Sequence, residues 1–322
     1  MTCRRSVLKA GVGAVALTAL TGCVGRGPDG SQMDKFDRTL PVGEVFLVDG
    51  KTVHVADEGD GLAVVLLHGA SGHLRDMTFD LTGRLNAAGY RTLAFDRPGL
   101  GYSERLHRRG ESPQEQARHL AKALGDRGVD RAIIVGHSYG GAVALAWALE
   151  RPDQAAGIVT LGGASMVWEG GLGAWYAIAS SRIGGATVVP LAVALVPQSK
   201  AEEFTTTLFA PDAVPEGYLD YVGTDLTLRA SQARTNAQQV NGLKRHIRKM
   251  TEGYPGLTQP IELLHGTADT IVPIDVHAQP LSKLLQNGNL VEMPGVGHMP
   301  HHADPTAVVD AVNRAARAAG LR

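Results

Sequence analysis

Cysteine is almost absent from this chain of 322 residues, in which only Cys3 and Cys23 occur. We therefore predict neither a disulfide framework nor a cysteine-based metal site in the folded part. The chain also lacks an excess of charge of either sign, since 31 basic residues are balanced by 32 acidic ones. A protein without a sequence-wide positive field is not expected to bind nucleic acid, so a small-molecule partner is favoured.

Long hydrophobic runs are absent too, and the apolar stretch 10–20 is too short to span a membrane. It follows Arg4-Arg5 and resembles an export signal of the twin-arginine class. Leu20-Thr21-Gly22-Cys23 resembles a bacterial lipobox, whose cysteine is lipidated; an ordinary signal peptide with an incidental cysteine is the alternative. We predict a signal peptide over 1–23, lipidation of Cys23, and a flexible tether over 24–40. The protein is then anchored by lipid to the bacterial cell envelope, on its periplasmic or extracellular face.

From residue 45 onward, strand patterns alternate with helix patterns. The predicted strands are 45–48, 52–55, 63–67, 91–95, 131–135, 158–161, 261–264 and 289–293. Helices are predicted over 113–127, 141–147, 275–285 and 305–319, the first with Ser112 as its N-cap. Such alternation indicates parallel strands joined by helices.

The alternation stops after Ser165. Residues up to about Pro260 lack strand patterns and contain helical stretches rich in Ala, Gln and Arg. We predict that 165–254 form a helical cap inserted into a core made of 41–164 and 255–322; a separate second domain is the alternative. The apolar segment 186–196 either lines a pocket or forms the buried side of a lid helix, and its prolines argue against one long helix.

Ser138 lies between a predicted strand and a predicted helix, in Gly136-His137-Ser138-Tyr139-Gly140. Glycines two residues before and two after the serine remove Cβ atoms that would clash in a sharp turn, and such a turn exposes the hydroxyl. A serine nucleophile needs a base, and the base needs an orienting carboxylate. Asp269 and His298 each follow a predicted strand. We therefore expect all three side chains at one edge of the sheet.

These motifs resemble the α/β-hydrolase fold, whose catalytic residues occur in the order Ser, Asp or Glu, His. His68-Gly69 resembles the oxyanion motif of that family, and the segment 96–103 resembles the loop after its next strand. The resemblance implies a mostly parallel eight-stranded sheet flanked by helices, with an inserted helical cap.

The resemblance also implies a role for each matching residue. Ser138 attacks an acyl carbon, His298 acts as general base and then acid, and Asp269 orients the imidazole. Backbone N–H groups of Ala70 and Tyr139 form the oxyanion hole. Six other candidates are given less weight, because they pack, cap a helix or lie outside the motif positions: His68, His137, Glu169, Asp275, His301 and His302.

The sequence thus predicts a serine hydrolase that cleaves carboxylic esters through an acyl-enzyme intermediate, without a cofactor or a metal ion. A carbon–carbon bond hydrolase, an acyltransferase and a non-catalytic ligand-binding protein on the same fold are the alternatives. Haloalkane dehalogenases and epoxide hydrolases of this fold use Asp as nucleophile, so Ser138 argues against both. Because no basic cluster is evident to receive a carboxylate, a neutral or apolar ester is expected.

Overall fold

The computed structural model describes residues 41–223 and 226–322, together with Gly25–Arg26 and Gln32–Met33. The chain divides into two compact units, Met1–Arg38 and Thr39–Arg322. In the first, the short strands β1 (Gly25–Arg26) and β2 (Gln32–Met33) pair antiparallel. The predicted signal peptide, Cys23 and most of the predicted tether lie outside the described residues.

In the described part of the second unit, eight strands form one sheet in the order β10-β9-β8-β7-β5-β6-β4-β3. Their bounds are β3 Glu44–Val48, β4 Lys51–Glu58, β5 Leu62–Leu67, β6 Tyr90–Phe95, β7 Ala132–His137, β8 Ala155–Leu161, β9 Ile261–Gly266 and β10 Gly288–Met293. Strand β4 pairs antiparallel with β3 and β6, and the other pairings are parallel. The predicted fold class is confirmed.

Helices cover both faces of this sheet. Their bounds are α1 Arg75–Thr78, α2 Leu81–Ala87, α3 Pro113–Asp126, α4 Tyr139–Glu150, α5 Ala174–Ser180, α6 Arg182–Leu195, α7 Gln198–Phe209, α8 Tyr218–Val222, α9 Ala230–Met250, α10 Ala278–Leu284, α11 Pro300–Ala303 and α12 Pro305–Ala318. The central strands β5, β7 and β8 are buried along almost their whole length, which explains their continuous apolar sequence. One apolar cluster lies on each face of the sheet.

Two helix predictions are wrong in detail. The helix predicted from Asp275 begins only at Ala278, because the N–H groups of Val276 and His277 both donate to the Pro273 carbonyl in a turn. Asp275 is exposed and neither lies on that helix nor caps it. In the second case, α6 continues through Pro190. Proline there removes a single intrahelical donor, which the packing of the helix outweighs.

Helices α5 to α9 lie between β8 and β9, where the sequence predicts an insertion. Along α6, Val189 and Val193 are buried, whereas Leu191 and Leu195 are exposed. No helix in the described ranges is by itself long and apolar enough to cross a membrane. The pair α5 and α6 meets that criterion together, but the two helices are bent by 110° relative to each other.

Candidate active site

The turn between β7 and α4 holds Ser138 in a left-handed backbone conformation, with φ of +53°. A Cβ on Gly136 would lie 2.1 Å from the Gly140 carbonyl oxygen, and one on Gly140 would lie 2.2 Å from the carbonyl oxygen of Leu67. Both positions therefore require glycine. The Ser138 N–H donates to the Leu161 carbonyl at 3.0 Å, which ties the strained turn to the neighbouring strand β8.

The structure brings Ser138, His298 and Asp269 together at the carboxyl edge of the sheet. Nδ1 of His298 lies 2.7 Å from Oδ2 of Asp269, and Nε2 lies 3.0 Å from Oγ of Ser138. An ionised carboxylate only accepts hydrogen bonds, so Nδ1 carries the proton of the neutral ring and Nε2 accepts the serine hydroxyl. All three residues are buried. This arrangement can remove the proton from the serine when it attacks.

Asp269 is held as an anion in this position. Burial by itself raises the pKa of the Asp269 carboxyl, but hydrogen bonds from His265 and His298 outweigh burial and hold the pKa below its ordinary range. Oδ1 accepts the backbone N–H groups of Ile271 and Val272 at 2.9 and 2.8 Å. These bonds leave Oδ2 directed at His298, so the imidazole has one preferred orientation.

The two expected oxyanion donors follow two neighbouring strands, β5 and β7. Ala70 is in the loop after β5 and lines the pocket. Tyr139 is the first residue of α4, so its N–H has no acceptor within the helix. The Tyr139 ring lies buried against the Arg97 guanidinium, with 4.3 Å between the guanidinium carbon and the ring centroid. Only the backbone of Tyr139 is thus available to a bound substrate.

Arg97 is a residue whose role the sequence does not reveal. Its fully buried guanidinium donates to the carbonyl oxygens of His68 and Gly69, both at 2.9 Å. Its backbone N–H donates to Nε2 of His68 at 3.0 Å, which requires that nitrogen to be unprotonated. Burial and the Arg97 charge lower the pKa of His68 to about 3, so the ring is neutral. Arg97 therefore fixes the loop that carries Ala70.

Asn236, which belongs to the helical cap, also holds the loop that carries Ala70. Ser71, with φ of +58°, donates its N–H to Oδ1 of Asn236 at 2.7 Å. The amide of Asn236 donates in return to the Ser71 hydroxyl at 2.8 Å. Gln232, Asn236 and Gln239 lie on one buried face of α9, a polar face that periodicity would assign to solvent. Helix α9 thus helps to shape the site.

A pocket of about 670 Å³ opens between the cap and the carboxyl edge of the sheet, and Ser138 and His298 lie in its wall. The cap contributes mainly apolar side chains to it: Trp175, Val193, Val196, Phe204 and Leu208. The volume is in the range of small-molecule sites. Such a lining suits the apolar part of a small substrate.

Asp76 places a buried carboxylate in the wall of the same pocket. Its Oδ1 accepts from Tyr218 at 2.8 Å and lies 2.9 Å from Nε2 of His302. Its Oδ2 lies 3.3 Å from Nε2 of His301. Burial alone raises the pKa of Asp76, but His301 and His302 hold the pKa well below its ordinary range. The carboxyl is therefore an anion at neutral pH.

The rival candidates lie away from the Ser138–His298 pair or have other partners. His301 and His302 contact Asp76, and Glu169 is exposed. His137 Nε2 donates to the carbonyl oxygen of His298 at 2.9 Å, so it supports the backbone of that residue. Burial lowers the pKa of His137 well below its ordinary value.

Comparisons with known proteins agree with this geometry. A family model described as the alpha/beta hydrolase family matches residues 64–311. Among curated proteins, 2-hydroxy-6-oxo-6-phenylhexa-2,4-dienoate hydrolase of Burkholderia cepacia is 34% identical over 129 residues, which cover 38% of this chain. The match spans only 41% of the length of that relative.

Solved structures resemble the chain over a greater length. An esterase from Exiguobacterium antarcticum has a TM-score of 0.66 at 19% identity, covering 83% of this chain and 96% of its own. An esterase from Rhodococcus sp. ECU1013 has a TM-score of 0.64 at 25% identity, covering 85% of this chain and 98% of its own. These likenesses concern the fold rather than the substrate.

Proposed function

The chain belongs to the alpha/beta hydrolase family, and we propose that it is a serine hydrolase that cleaves small carboxylic esters. The observation that carries the proposal is the hydrogen-bonded series Asp269–His298–Ser138 beside the pocket. In the proposed reaction, His298 takes the hydroxyl proton as Ser138 Oγ attacks the acyl carbon. His298 then protonates the departing alcohol, and water opens the acyl-enzyme by the same route.

The charge that develops on the substrate oxygen needs fixed donors. We assign this role to the N–H groups of Ala70, in the loop after β5, and of Tyr139, at the start of α4. A preorganised donor of this kind contributes about 2.7–4 kcal/mol to the barrier reduction. Arg97 and Asn236 act as positioning residues, since they hold the loop of Ala70 through carbonyl and amide contacts.

Hydrolysis of a carbon–carbon bond is the second candidate function. The similarity to the Burkholderia cepacia hydrolase supports it, and the substrate in that protein's name is a dienoate, which carries a carboxylate. The ionised Asp76 in the pocket wall disfavours a second buried negative charge. The pocket-lining Lys200 is paired with Glu203 at 2.5 Å. The charges of these side chains therefore favour an ester without a carboxylate.

The nucleophile is tested by Ser138→Ala. We expect the variant to lose labelling by a fluorophosphonate probe and turnover of p-nitrophenyl butyrate by at least about a thousandfold, because no other group supplies the acyl acceptor. Ser199→Ala, which removes an exposed serine on α7, is the matched control and is expected to behave as the wild type. Undiminished labelling of folded Ser138→Ala would refute the assignment.

The bond that is cleaved is tested with the wild-type enzyme. In an assay with EDTA, which leaves no metal ion to offset the Asp76 charge, we expect kcat/KM for p-nitrophenyl butyrate to exceed that for 2-hydroxy-6-oxo-6-phenylhexa-2,4-dienoate, because only the latter brings an anion towards Asp76. A higher kcat/KM for the dienoate would contradict the ester hydrolase proposal and support hydrolysis of a carbon–carbon bond.

We also propose that the enzyme is anchored to the bacterial cell envelope through a lipid on Cys23. The proposal is based on Arg4-Arg5, the short apolar stretch and the lipobox-like sequence before Cys23. Cys23→Ser removes the thiol that would be acylated, so we expect the protein to move from the membrane fraction to the soluble fraction. Cys3→Ser is the control and is expected to remain with membranes. Unchanged fractionation of Cys23→Ser would contradict the anchor.

A further inference from the structure

A second cluster of polar side chains lies beside Ser138 and has no part in the proposed reaction. One potential ligand atom each from Asp76, His137 and His301 lie within 4.8 Å of one another, and all three residues are buried. Oδ2 of Asp76 is 3.3 Å from Nε2 of His301 and 3.9 Å from Nδ1 of His137. The cluster thus combines one carboxylate with two imidazoles.

The hydrogen bonds of His137 determine which of its nitrogens is available. Nε2 lies 2.9 Å from the His298 carbonyl oxygen, which can only accept, so Nε2 carries the proton. Nδ1 then presents a lone pair, is buried, and has no hydrogen-bond partner among the described residues. It faces Asp76 Oδ2, which is also an acceptor. Oδ2 accepts only from Nε2 of His301 among the described residues, at 3.3 Å, so nothing donates to Nδ1 of His137. A cation that replaces the His301 proton would contact all three atoms and satisfy this lone pair.

We propose that Asp76, His137 and His301 form a binding site for a divalent transition-metal ion, with Zn²⁺ as the preferred ion. Imidazole nitrogen and carboxylate oxygen are ligands that Zn²⁺ takes readily in proteins. Ligand atoms around a tetrahedral Zn²⁺ with bonds of about 2.1 Å lie about 3.4 Å apart. The two separations from Asp76 Oδ2, 3.3 and 3.9 Å, are within about 0.5 Å of this value, and the ligand atoms of the two histidines lie within 4.8 Å of each other.

Two of the three ligands already have the outer hydrogen bonds that metal ligands require. The proton on Nε2 of His137 is fixed by the His298 carbonyl, and Oδ1 of Asp76 is held by Tyr218 and His302. Such partners orient the ligating atoms and raise metal affinity. Nδ1 of His137, and Oδ2 of Asp76 in place of its contact with His301, are the atoms that would bind the ion.

The position of His301 favours a bare ion over a group of the substrate. Asp76 and His137 line the pocket, whereas His301 is 1% exposed and is not among the lining residues described. A small ion that enters through the pocket can reach all three side chains. A substrate ammonium group attached to a carbon chain would contact the first two.

The test is a calorimetric titration of the full-length chain with ZnCl₂. The protein carries Cys3→Ser and Cys23→Ser, so that no thiol competes for the ion, and it has no histidine tag. We expect one Zn²⁺ per chain. We expect Asp76→Asn and His301→Gln to weaken binding at least about tenfold, since each removes a ligand. His246→Gln, which replaces a histidine on α9, is the matched control and is expected to bind as the parent does.

A spectroscopic measurement keeps the test decisive if Asp76→Asn does not fold. Co²⁺ added to the parent protein is expected to give the visible absorption bands of a four-coordinate ion, and His301→Gln is expected to lose them. The site is refuted if the parent binds no stoichiometric Zn²⁺ or Co²⁺, or if folded His301→Gln binds both as tightly as His246→Gln. Because neither readout depends on turnover, failure of the metal site is distinguishable from failure of the ester hydrolase assignment.

Discussion

At the scale of single residues, Asp269 decides which nitrogen of His298 carries the proton. In Asp269→Asn, the side-chain oxygen can still accept the N–H groups of Ile271 and Val272, which leaves the amide nitrogen facing His298 Nδ1. A donor there forces Nδ1 to accept, so Nε2 becomes protonated and cannot take the proton of the serine. We expect kcat to fall by about 10⁴-fold, measured with p-nitrophenyl butyrate.

Asp275, the other candidate for the orienting carboxylate, provides the control for this prediction. Asp275 is exposed and precedes α10, so Asp275→Asn is expected to retain wild-type activity. Equal losses in the two variants would remove Asp269 from the proposed mechanism.

Ser138, Asp269 and His298 could be predicted from the sequence because each follows a strand within a short local motif. Asp76, Arg97 and Asn236 could not be assigned in this way. Their roles depend on contacts between distant segments, such as Asp76 with His301, 225 residues away. The spacing of residues along the sequence does not predict contacts between segments that are so far apart. The expectation of no metal ion rests on local Cys and His spacing and stays a prediction, which the zinc titration tests.

At the scale of secondary-structure elements, α3 shows where local sequence is sufficient. The Ser112 hydroxyl accepts the Glu115 N–H at 3.2 Å, and the Glu115 carboxylate accepts the Ser112 N–H at 2.8 Å. Ser112→Ala is expected to lower the free energy of unfolding by about 1 kcal/mol, measured by urea denaturation. Ser112→Thr retains a hydroxyl cap and is expected to lose less. Identical losses in the two variants would show that the cap is not the cause.

Helices α6 and α9 show where local sequence is insufficient. Pro190 predicted an interruption in α6, yet the helix buries Val189 and Val193 and continues. The polar residues Gln232 and Gln239 on α9 would be placed in solvent by their chemistry. They are buried because Gly101 and the Arg97 guanidinium supply partners from the core. In both helices, tertiary contacts outweigh local preferences: the tendency of proline to interrupt a helix in α6, and that of glutamine to face solvent in α9.

At the scale of the whole molecule, burial of neutral histidines sets the response to acid. Burial lowers the pKa of His68 to about 3 and that of His277 to about 4. In the unfolded chain, histidine titrates near 6.5. Below that pH the unfolded state takes up protons that the folded state cannot. The free energy of unfolding therefore decreases as the pH is lowered. The loss begins near pH 6.5 and continues down to the two folded values.

The size of the effect makes it measurable. Each of these two histidines contributes a loss of about 2 kcal/mol at pH 5, so together they lower the free energy of unfolding by about 4 kcal/mol. Urea denaturation between pH 7 and pH 5 is expected to show at least this decrease, since burial also lowers the pKa of His301 to about 4. Carboxylates contribute little in this interval, because their unfolded pKa values lie near 4.

Replacing one histidine separates its share of the acid response from that of the rest of the protein. Nδ1 of His277 accepts the backbone N–H groups of Ser165 and Met166 at 3.2 and 3.1 Å. Glutamine offers an acceptor oxygen but no titratable group, so His277→Gln is expected to reduce the loss between pH 7 and pH 5 by about 2 kcal/mol. An unchanged dependence in the folded variant would mean that His277 is protonated in the native protein. A protonated Nδ1 cannot accept the N–H groups of Ser165 and Met166. The pH dependence of stability therefore tests the same protonation state of His277 that these two hydrogen bonds require.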